Sequence, residues 1–292
     1  MLPGRFIILL LAAGTSAQIV GAIDISPETR IAELEKANGG RIGIVAIDVK
    51  SGRRIENRSD ERFPMCSTFK LFAVGAVLQR VDKAKEKLDR FIPYGEKDLL
   101  EYAPVTRQHV REGGMTLGTL CQAAIEQSDN TAANLVLQTI GGPDGVTQFA
   151  RSLGDTITRL DRKEPELNDW KPNDDRDTTS PSSMCEDLRR LLQTELLSKE
   201  SKSRLDDWLQ HNETGAALIR ASLPTGWRVG DKTGRSRSGA TNDVAVIYPP
   251  DGAPIFVAIY VFNSSTSDEK RSATVSSLGR IVCEAFRPDL KK

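Results

Sequence analysis

The positions of the strand-like segments constrain this chain most, because they stand near both ends and a long helical block separates them. One apolar run at 42–49 is followed by a turn into a second strand, and three further runs lie at 227–233, 243–248 and 254–262. Helical patterns dominate 67–210. Strands at both ends with helices between them predict an α+β fold, in which the two termini build one antiparallel sheet flanked by helices.

Two helices with recognisable start signals flank the strands. Ser26 can cap a helix that begins at Pro27 and ends at the Gly39-Gly40 pair, and a last helix is predicted at about 267–285. This order predicts an inserted all-helical lobe at 64–211, packed against an α/β lobe formed by 23–63 and 212–292. A cleft between two such lobes is a natural site for a small ligand.

The N-terminus has the pattern of an export signal. Arg5 precedes an apolar run at 6–12, and small residues follow it. This order predicts a signal peptide over 1–22, cleaved after about residue 17 or 22, and a mature protein that is periplasmic or secreted. The run is too short to span a bilayer. A buried N-terminal strand is the alternative interpretation.

The charge balance of the chain limits the kinds of partner that it is expected to bind. Lys plus Arg and Asp plus Glu number 40 each, so the chain has no net charge that would attract nucleic acid or an anionic membrane. A small molecule is the expected partner, and a monomer the expected state. The only histidines, His109 and His211, stand in polar stretches, so a hydrolase built on this chain would work without histidine. The four cysteines fit no metal pattern, so we expect free thiols, no metal and no cofactor.

A serine and a lysine one helical turn apart are the first candidates for chemistry. Ser67 is predicted at the start of an apolar helix, and Lys70 follows three residues later on the same face. Serine needs an adjacent base to act as a nucleophile, and a lysine with a lowered pKa can supply it. The spacing alone is weak evidence, because it recurs at Ser267 and Lys270, where a capped helix start is the simpler interpretation.

Two further segments do not indicate a function when each is considered by itself. Ser128-Asp129-Asn130 is typical of a loop that caps the following helix, and Asp231-Lys232-Thr233-Gly234 is typical of an exposed strand end. The second segment is not a phosphate-binding loop, because it lacks the glycine spacing and the Gly-Lys pair.

Taken together and in this order, the three segments resemble the signature set of class A serine β-lactamases and penicillin-binding proteins. The segment Arg162–Asn168 also resembles the Glu-x-x-Leu-Asn element of class A β-lactamases, and 173–179 resembles the end of the same loop. The resemblance covers nearly all of the chain after the export signal. It implies the β-lactamase/transpeptidase-like α+β fold and hydrolysis of the cyclic amide of β-lactam antibiotics through an acyl-serine intermediate.

The resemblance also implies roles for individual residues. Ser67 would be the nucleophile, Lys70 and Glu164 would share the role of base, and Ser128 would pass a proton to the leaving nitrogen. Which base acts in acylation is disputed for the family. The implied substrate-binding residues are Tyr102, Asn130, Asn168, Lys232, Thr233, Gly234 and Arg235. The oxyanion hole would be formed by the backbone N–H groups of Ser67 and Arg235.

The loop that carries Glu164 separates this interpretation from its rivals. Within the family, Glu164 and Asn168 would activate the water that releases the acyl group, Glu164–Pro165 is expected to be cis, and Arg162 would pair with Asp177. A penicillin-binding D,D-peptidase shares the three signature segments but not this loop. A non-catalytic β-lactam sensor, which is acylated but does not turn over, is the other alternative.

The chain departs from the family pattern near the cleft. Arg235 stands where a small residue is usual, so we hypothesise that it adds a positive contact for the substrate carboxylate or changes the preference among β-lactams. Thr241 stands where many members have an arginine, and Lys270 or Arg271 of the last helix could supply that charge. The partners of the family's disulfides at Cys66 and Cys121 are absent, so neither bridge is expected.

Overall fold

The structure, a computed structural model, describes residues 25–263 and 265–291. The export signal predicted at 1–22 lies outside these residues. Within the described ranges, no helix is both long enough and apolar enough to cross a membrane.

The longer strands lie near both ends of the chain and most of the helices lie between them, in the predicted general order. The helices are α1 Pro27–Asn38, α2 Lys70–Asp82, α3 Thr106–His109, α4 Leu117–Glu126, α5 Asn130–Thr139, α6 Pro143–Ser152, α7 Pro181–Gln193, α8 Lys199–Gln210 and α9 Asp268–Phe286. The strands are β1 Arg41–Asp48, β2 Arg54–Asn57, β3 Phe63–Pro64, β4 Phe91–Pro93, β5 Gly114–Thr116, β6 Thr178–Thr179, β7 Arg228–Arg235, β8 Ala240–Tyr248 and β9 Ile255–Phe262.

The main sheet joins the two ends of the chain. Its five strands have the order β2-β1-β9-β8-β7 and are all antiparallel. The central pairing aligns Ile44 of β1 with Ile259 of β9, although the two strands lie more than two hundred residues apart in the sequence. This topology, together with the helices that flank the sheet, confirms the predicted α+β fold class.

Both faces of the sheet are covered, which explains why its middle strand β9 is apolar throughout. Ile44, Val257 and Ile259 pack in one hydrophobic cluster with residues of α1 and α9. On the opposite face, Val45 and Tyr260 belong to a larger cluster that includes residues of α2, α4, α5, α7 and α8. The helical block therefore packs against the sheet in one continuous core. It is not all-helical as predicted for 64–211, because it also contains the short antiparallel pair β4–β5 and the strand β6, which pairs with β3.

Capping residues mark both ends of α1 and the start of α9. The Ser26 hydroxyl accepts a hydrogen bond from the Thr29 N–H at 3.2 Å, and Gly39 ends α1 in a left-handed conformation with φ of 73°. The Ser267 hydroxyl accepts from the Lys270 N–H at 3.3 Å. The second Ser-x-x-Lys copy is therefore a helix cap, as predicted.

Candidate active site

Ser67 lies on a tight turn that leads into a buried helix. The turn is a 3-10 segment, Cys66–Phe69, and α2 begins directly after it at Lys70. Cys66 has a positive φ of 47°, which turns the chain sharply just before the serine. The sequence predicted a helix start at Ser67, and the structure refines this to a 3-10 turn that precedes the α-helix.

The ammonium group of Lys70 is fully buried and is held by three oxygen atoms. Its Nζ donates to the Ser128 carbonyl at 2.7 Å, to Ser128 Oγ at 3.2 Å and to Asn130 Oδ1 at 2.6 Å. Burial lowers the pKa of Lys70, while the nearby charges of Glu164 and Asp129 oppose that change. The lowered pKa makes the neutral amine, which can accept a proton, more accessible than in an exposed lysine.

Glu164 faces both the serine and the lysine. Its Oε1 accepts a hydrogen bond from Ser67 Oγ at 3.3 Å and lies 3.4 Å from Lys70 Nζ. Its Oε2 accepts from Asn168 Nδ2 at 2.7 Å, while Asn168 Oδ1 is a buried acceptor without a hydrogen-bond partner in the described part of the chain. The carboxylate of Glu164 and the free Asn168 oxygen can therefore orient a water molecule together.

Asn134 fixes the backbone of Glu164. The Glu164 N–H donates to Asn134 Oδ1 at 3.0 Å, and Asn134 Nδ2 donates to the Glu164 carbonyl at 2.8 Å. The sequence analysis did not assign this residue a role. A signal was present, because Asn134 follows Asn130 by four residues on α5 and therefore shares its face.

The loop that carries Glu164 is closed at its neck. Arg162 Nε donates to Asp177 Oδ2 at 2.6 Å, and Asp177 Oδ1 accepts the backbone N–H groups of Asp161 and Arg162 at 2.8 and 2.9 Å. The Glu164–Pro165 peptide bond is cis. Both the predicted Arg162–Asp177 pair and the predicted cis bond are confirmed.

Ser128 connects the two buried lysines. Its hydroxyl accepts from Lys70 Nζ at 3.2 Å and from Lys232 Nζ at 3.0 Å. Burial, followed by the charge of Lys70, lowers the pKa of Lys232 to about 7. A proton held at Ser128 Oγ can thus be replaced from either lysine.

The end of β7 lies against the Ser67 turn because Gly234 has no side chain. A Cβ atom at this position would lie 2.7 Å from the Met65 carbonyl oxygen and 3.2 Å from the Cβ of Cys66. Beside it, Thr233 Oγ1 lies 2.5 Å from Thr214 Oγ1. The close approach brings the backbone that follows Gly234 next to the serine turn.

The arginine after Gly234 turns towards the last helix. Both Nη atoms of Arg235 donate to Ser272 Oγ at 3.1 Å. The neighbouring Arg271 is buried, and its Nε donates to Thr241 Oγ1 at 3.2 Å. Lys270 instead donates to the Ala37 carbonyl at 3.1 Å. Arg271 rather than Lys270 therefore places its charge beside Thr241.

The predicted site residues meet at one cleft of about 480 Å³. Three of them, Lys70, Glu164 and Lys232, are buried behind its surface. The cleft is lined by Ser67, Tyr102, Ser128, Asn130, Asn168, Glu213, Thr214, Thr233, Gly234 and Arg235. Glu213 and Thr214 were not predicted, and no motif marks them, because they reach the cleft from the segment between α8 and β7.

The cysteines and histidines lie apart from this chemistry. All four cysteines are buried and free, as predicted. Burial raises the pKa of the Cys66 thiol to about 12, so it is not a competing nucleophile beside Ser67. His109 and His211 have side chains that are 41% and 66% exposed and pair with carboxylates on the surface.

The fold and this group of a serine, two lysines and a glutamate are typical of serine hydrolases that work without histidine. The model of the β-lactamase enzyme family matches residues 26–286, and the chain belongs to that family.

Relatives of known name or structure agree with this assignment. The chain is 46% identical to β-lactamase L2 of Stenotrophomonas maltophilia, over 94% of this chain and 91% of that protein. The solved structure of the ancestral (GNCA) class A β-lactamase is 54% identical, with a TM-score of 0.87 over 89% of this chain and 100% of that one. A putative class A β-lactamase, PenP from Rhodopseudomonas palustris, is 49% identical, with a TM-score of 0.86 over 89% and 99% of the two chains.

Proposed function

We propose that this chain hydrolyses β-lactam antibiotics and that Ser67 carries the acyl group between the two half-reactions. Family membership supports the activity. The observation that carries the mechanism is the contact of Glu164 Oε1 with both Ser67 Oγ, at 3.3 Å, and Lys70 Nζ, at 3.4 Å. It places one carboxylate within reach of both a serine hydroxyl and an amine of lowered pKa.

In acylation, Ser67 Oγ attacks the lactam carbonyl, and a new C–O bond replaces the C–N bond of the ring. The serine proton passes to Lys70 or Glu164, and Ser128 gives a proton to the departing ring nitrogen. The backbone N–H groups of Ser67 and Arg235 stabilise the negative charge that develops on the carbonyl oxygen. The close packing of Gly234 against the serine turn supports this oxyanion hole.

In deacylation, the oxygen of a water molecule forms a new C–O bond to the acyl carbon, the C–O bond to Ser67 breaks, and Ser67 Oγ recovers its proton. Glu164 takes one proton of the water, and the free Oδ1 of Asn168, whose Nδ2 donates to Glu164, accepts a hydrogen bond from the same water and orients it. Asn134, which the sequence analysis did not assign, is a positioning residue for Glu164.

Substrate binding divides between the two sides of the cleft. Lys232 and Thr233 bind the ring carboxylate, and Arg235, with its guanidinium on Ser272, adds a positive charge on the same side. Asn130 binds the side-chain amide of the substrate and orders Lys70. Tyr102, whose ring is half-exposed, forms the aromatic wall opposite.

The experiment that tests this function compares the wild type with Glu164→Ala on nitrocefin and on a penicillin. Many turnovers by the wild type and a single equivalent of product from the variant are the expected result. Glu166→Ala, two residues further along the same loop and exposed, is the matched control and is expected to turn over normally. One equivalent from the wild type itself would identify a penicillin-binding D,D-peptidase or a sensor instead.

We further propose that the protein acts as an exported monomer, formed from lobes 23–63 plus 212–292 and 64–211. The export signal pattern at the N-terminus supports the export part of this proposal. Mass spectrometry of the protein recovered from the periplasm and the medium tests cleavage after about residue 17 or 22. Light scattering tests the oligomeric state, and a dimer mass would contradict the proposal.

A further inference from the structure

We propose that Glu213 and Tyr102 form a subsite for a positively charged substituent of the β-lactam. The substrate class is cephalosporins that carry a pyridinium or quaternary ammonium group next to the ring carboxylate. This inference rests on the proposed function, because it uses the same cleft and the same position of the carboxylate.

The first step of the argument is the position of Glu213. It lines the same cleft as Ser67 and Thr233. Its backbone N–H donates to the Glu126 carbonyl at 2.9 Å, and its Oε1 accepts from Gln127 Nε2 at 2.8 Å. These bonds at the backbone and at the carboxylate present the negative charge in a defined place rather than on a freely rotating side chain.

Thr214, the residue after Glu213, connects it to the side of the cleft that binds the substrate carboxylate. Asn212 Oδ1 accepts from the backbone N–H of Thr214 at 3.0 Å and from its hydroxyl at 2.7 Å. Thr214 Oγ1 in turn lies 2.5 Å from Thr233 Oγ1. The chain from Thr233 through Thr214 to Glu213 is therefore continuous and fixed.

The chemistry of cephalosporins matches this order of residues. The ring carboxylate and the neighbouring substituent are attached to adjacent carbons of the six-membered ring. When Thr233 binds the carboxylate, the substituent extends from a point beside Thr214 towards Glu213. Penicillins carry only methyl groups on the corresponding side, so they do not use this subsite.

The electrostatics of this end of the cleft favour a cation. Burial, followed by the negative charges of Asp129 and Glu213, raises the pKa of Tyr102. The phenol is therefore neutral, and it lies close enough to Glu213 for the charge of that carboxylate to act on it. A neutral aromatic face and a carboxylate both attract an organic cation. In the ranges that the structure describes, no basic side chain forms an ion pair with Glu213. The substrate carboxylate faces Lys232 and Arg235 instead, so the cleft complements a zwitterion.

Two cephalosporins with the same acyl side chain isolate the effect of a positive charge on the substituent next to the ring carboxylate. Cephaloridine carries a pyridinium group where cephalothin carries a neutral acetoxy group. For Glu213→Gln, which keeps an oxygen for the Gln127 bond, we expect the KM for cephaloridine to rise about threefold to tenfold. The KM for cephalothin and both kcat values are expected to stay within about twofold. Added salt should reduce the difference between the substrates in the wild type, because it screens an exposed charge.

A control and a second readout complete the experiment. Glu195→Gln, at an exposed glutamate that follows α7 and does not line the cleft, is expected to change the KM of neither substrate. Acylation rates of the Glu164→Ala protein, with and without Glu213→Gln, repeat the comparison without turnover. If Glu213→Gln opens both rings but its KM changes equally for the two substrates, or for neither, the subsite is refuted and the proposed function stands. Failure of the wild type to open either ring would overturn the proposed function and this inference with it.

Discussion

The Nζ atom of Lys70 lies 3.4 Å from Oε1 of Glu164, and both side chains are fully buried. A buried pair of this kind adds little net stability, because the loss of hydration offsets much of the attraction. Its consequence is chemical: a proton can pass between the two groups while Ser67 stands within reach of the carboxylate. The following predictions concern the residues that hold this arrangement in place.

We predict that Lys232 makes the KM of the reaction depend on pH. Its pKa is lowered to about 7, first by burial and then by Lys70, so its charge is lost in the free enzyme as pH rises through about 7. We expect the KM for a substrate with a free carboxylate to rise roughly tenfold between pH 6 and 9, as a charged hydrogen bond is lost. A pH series of initial rates measures this. The methyl ester of the same substrate should show no such rise, and an equal rise for the ester would refute the role of Lys232.

Gly234 keeps β7 close to the serine turn. Gly234→Ala would place a methyl group 2.7 Å from the Met65 carbonyl and push the strand away. We expect destabilisation of about 1–3 kcal/mol from overpacking, and a fall in kcat of about a hundredfold from a displaced oxyanion hole. Stopped-flow acylation and thermal unfolding measure the two effects. Gly95→Ala is the control, since its Cβ would meet nothing within 4 Å and its φ of −141° suits alanine.

Asn134 holds both backbone groups of Glu164, so its loss should affect deacylation most. For Asn134→Ala we expect the deacylation rate to fall about tenfold to a hundredfold, because displacement of a catalytic group by even 1 Å has an effect of this size. Acyl-enzyme should then accumulate, as mass spectrometry after rapid quenching would show. The exposed neighbour Gln138→Ala serves as the control. Normal deacylation in Asn134→Ala would show that the loop positions Glu164 without it.

We predict that Asp187 on α7 makes the free energy of unfolding depend on pH. Burial, and then the nearby charge of Asp155, raises its pKa to about 8. The folded protein therefore keeps a proton that the unfolded chain releases above about pH 4. The free energy of unfolding should then fall by up to about 1.4 kcal/mol per pH unit between pH 5 and 8.

Denaturant unfolding at several pH values tests the role of Asp187. Asp187→Asn is expected to flatten the slope between pH 5 and 8 and to stabilise the protein at pH 8. The exposed Asp60→Asn is the control and should leave the slope unchanged. An unchanged slope in Asp187→Asn would contradict the assignment of this dependence to Asp187.

Local patterns in the sequence determined the elements and the motif residues. Alternating and continuous apolar runs predicted β1, β7, β8 and β9, and Ser26 and Ser267 marked the starts of two helices, because caps and side-chain periodicity depend only on neighbouring residues. The resemblance of the three motifs to a known family then identified the candidate chemistry. The 3-10 turn at Ser67 was missed, since apolar helix-forming residues continue through it.

Only the tertiary structure decided which distant residues meet. Asn134 reaches Glu164 across thirty residues, Thr214 contacts Thr233, and Gly234 packs on Met65. Likewise, Arg271 rather than Lys270 turns its charge towards Thr241. No local propensity encodes these contacts, because they arise when whole elements pack and bring together side chains that are far apart in sequence. The sequence therefore predicts the candidate nucleophile, whereas the residues that line the cleft around it are brought together only by the packing.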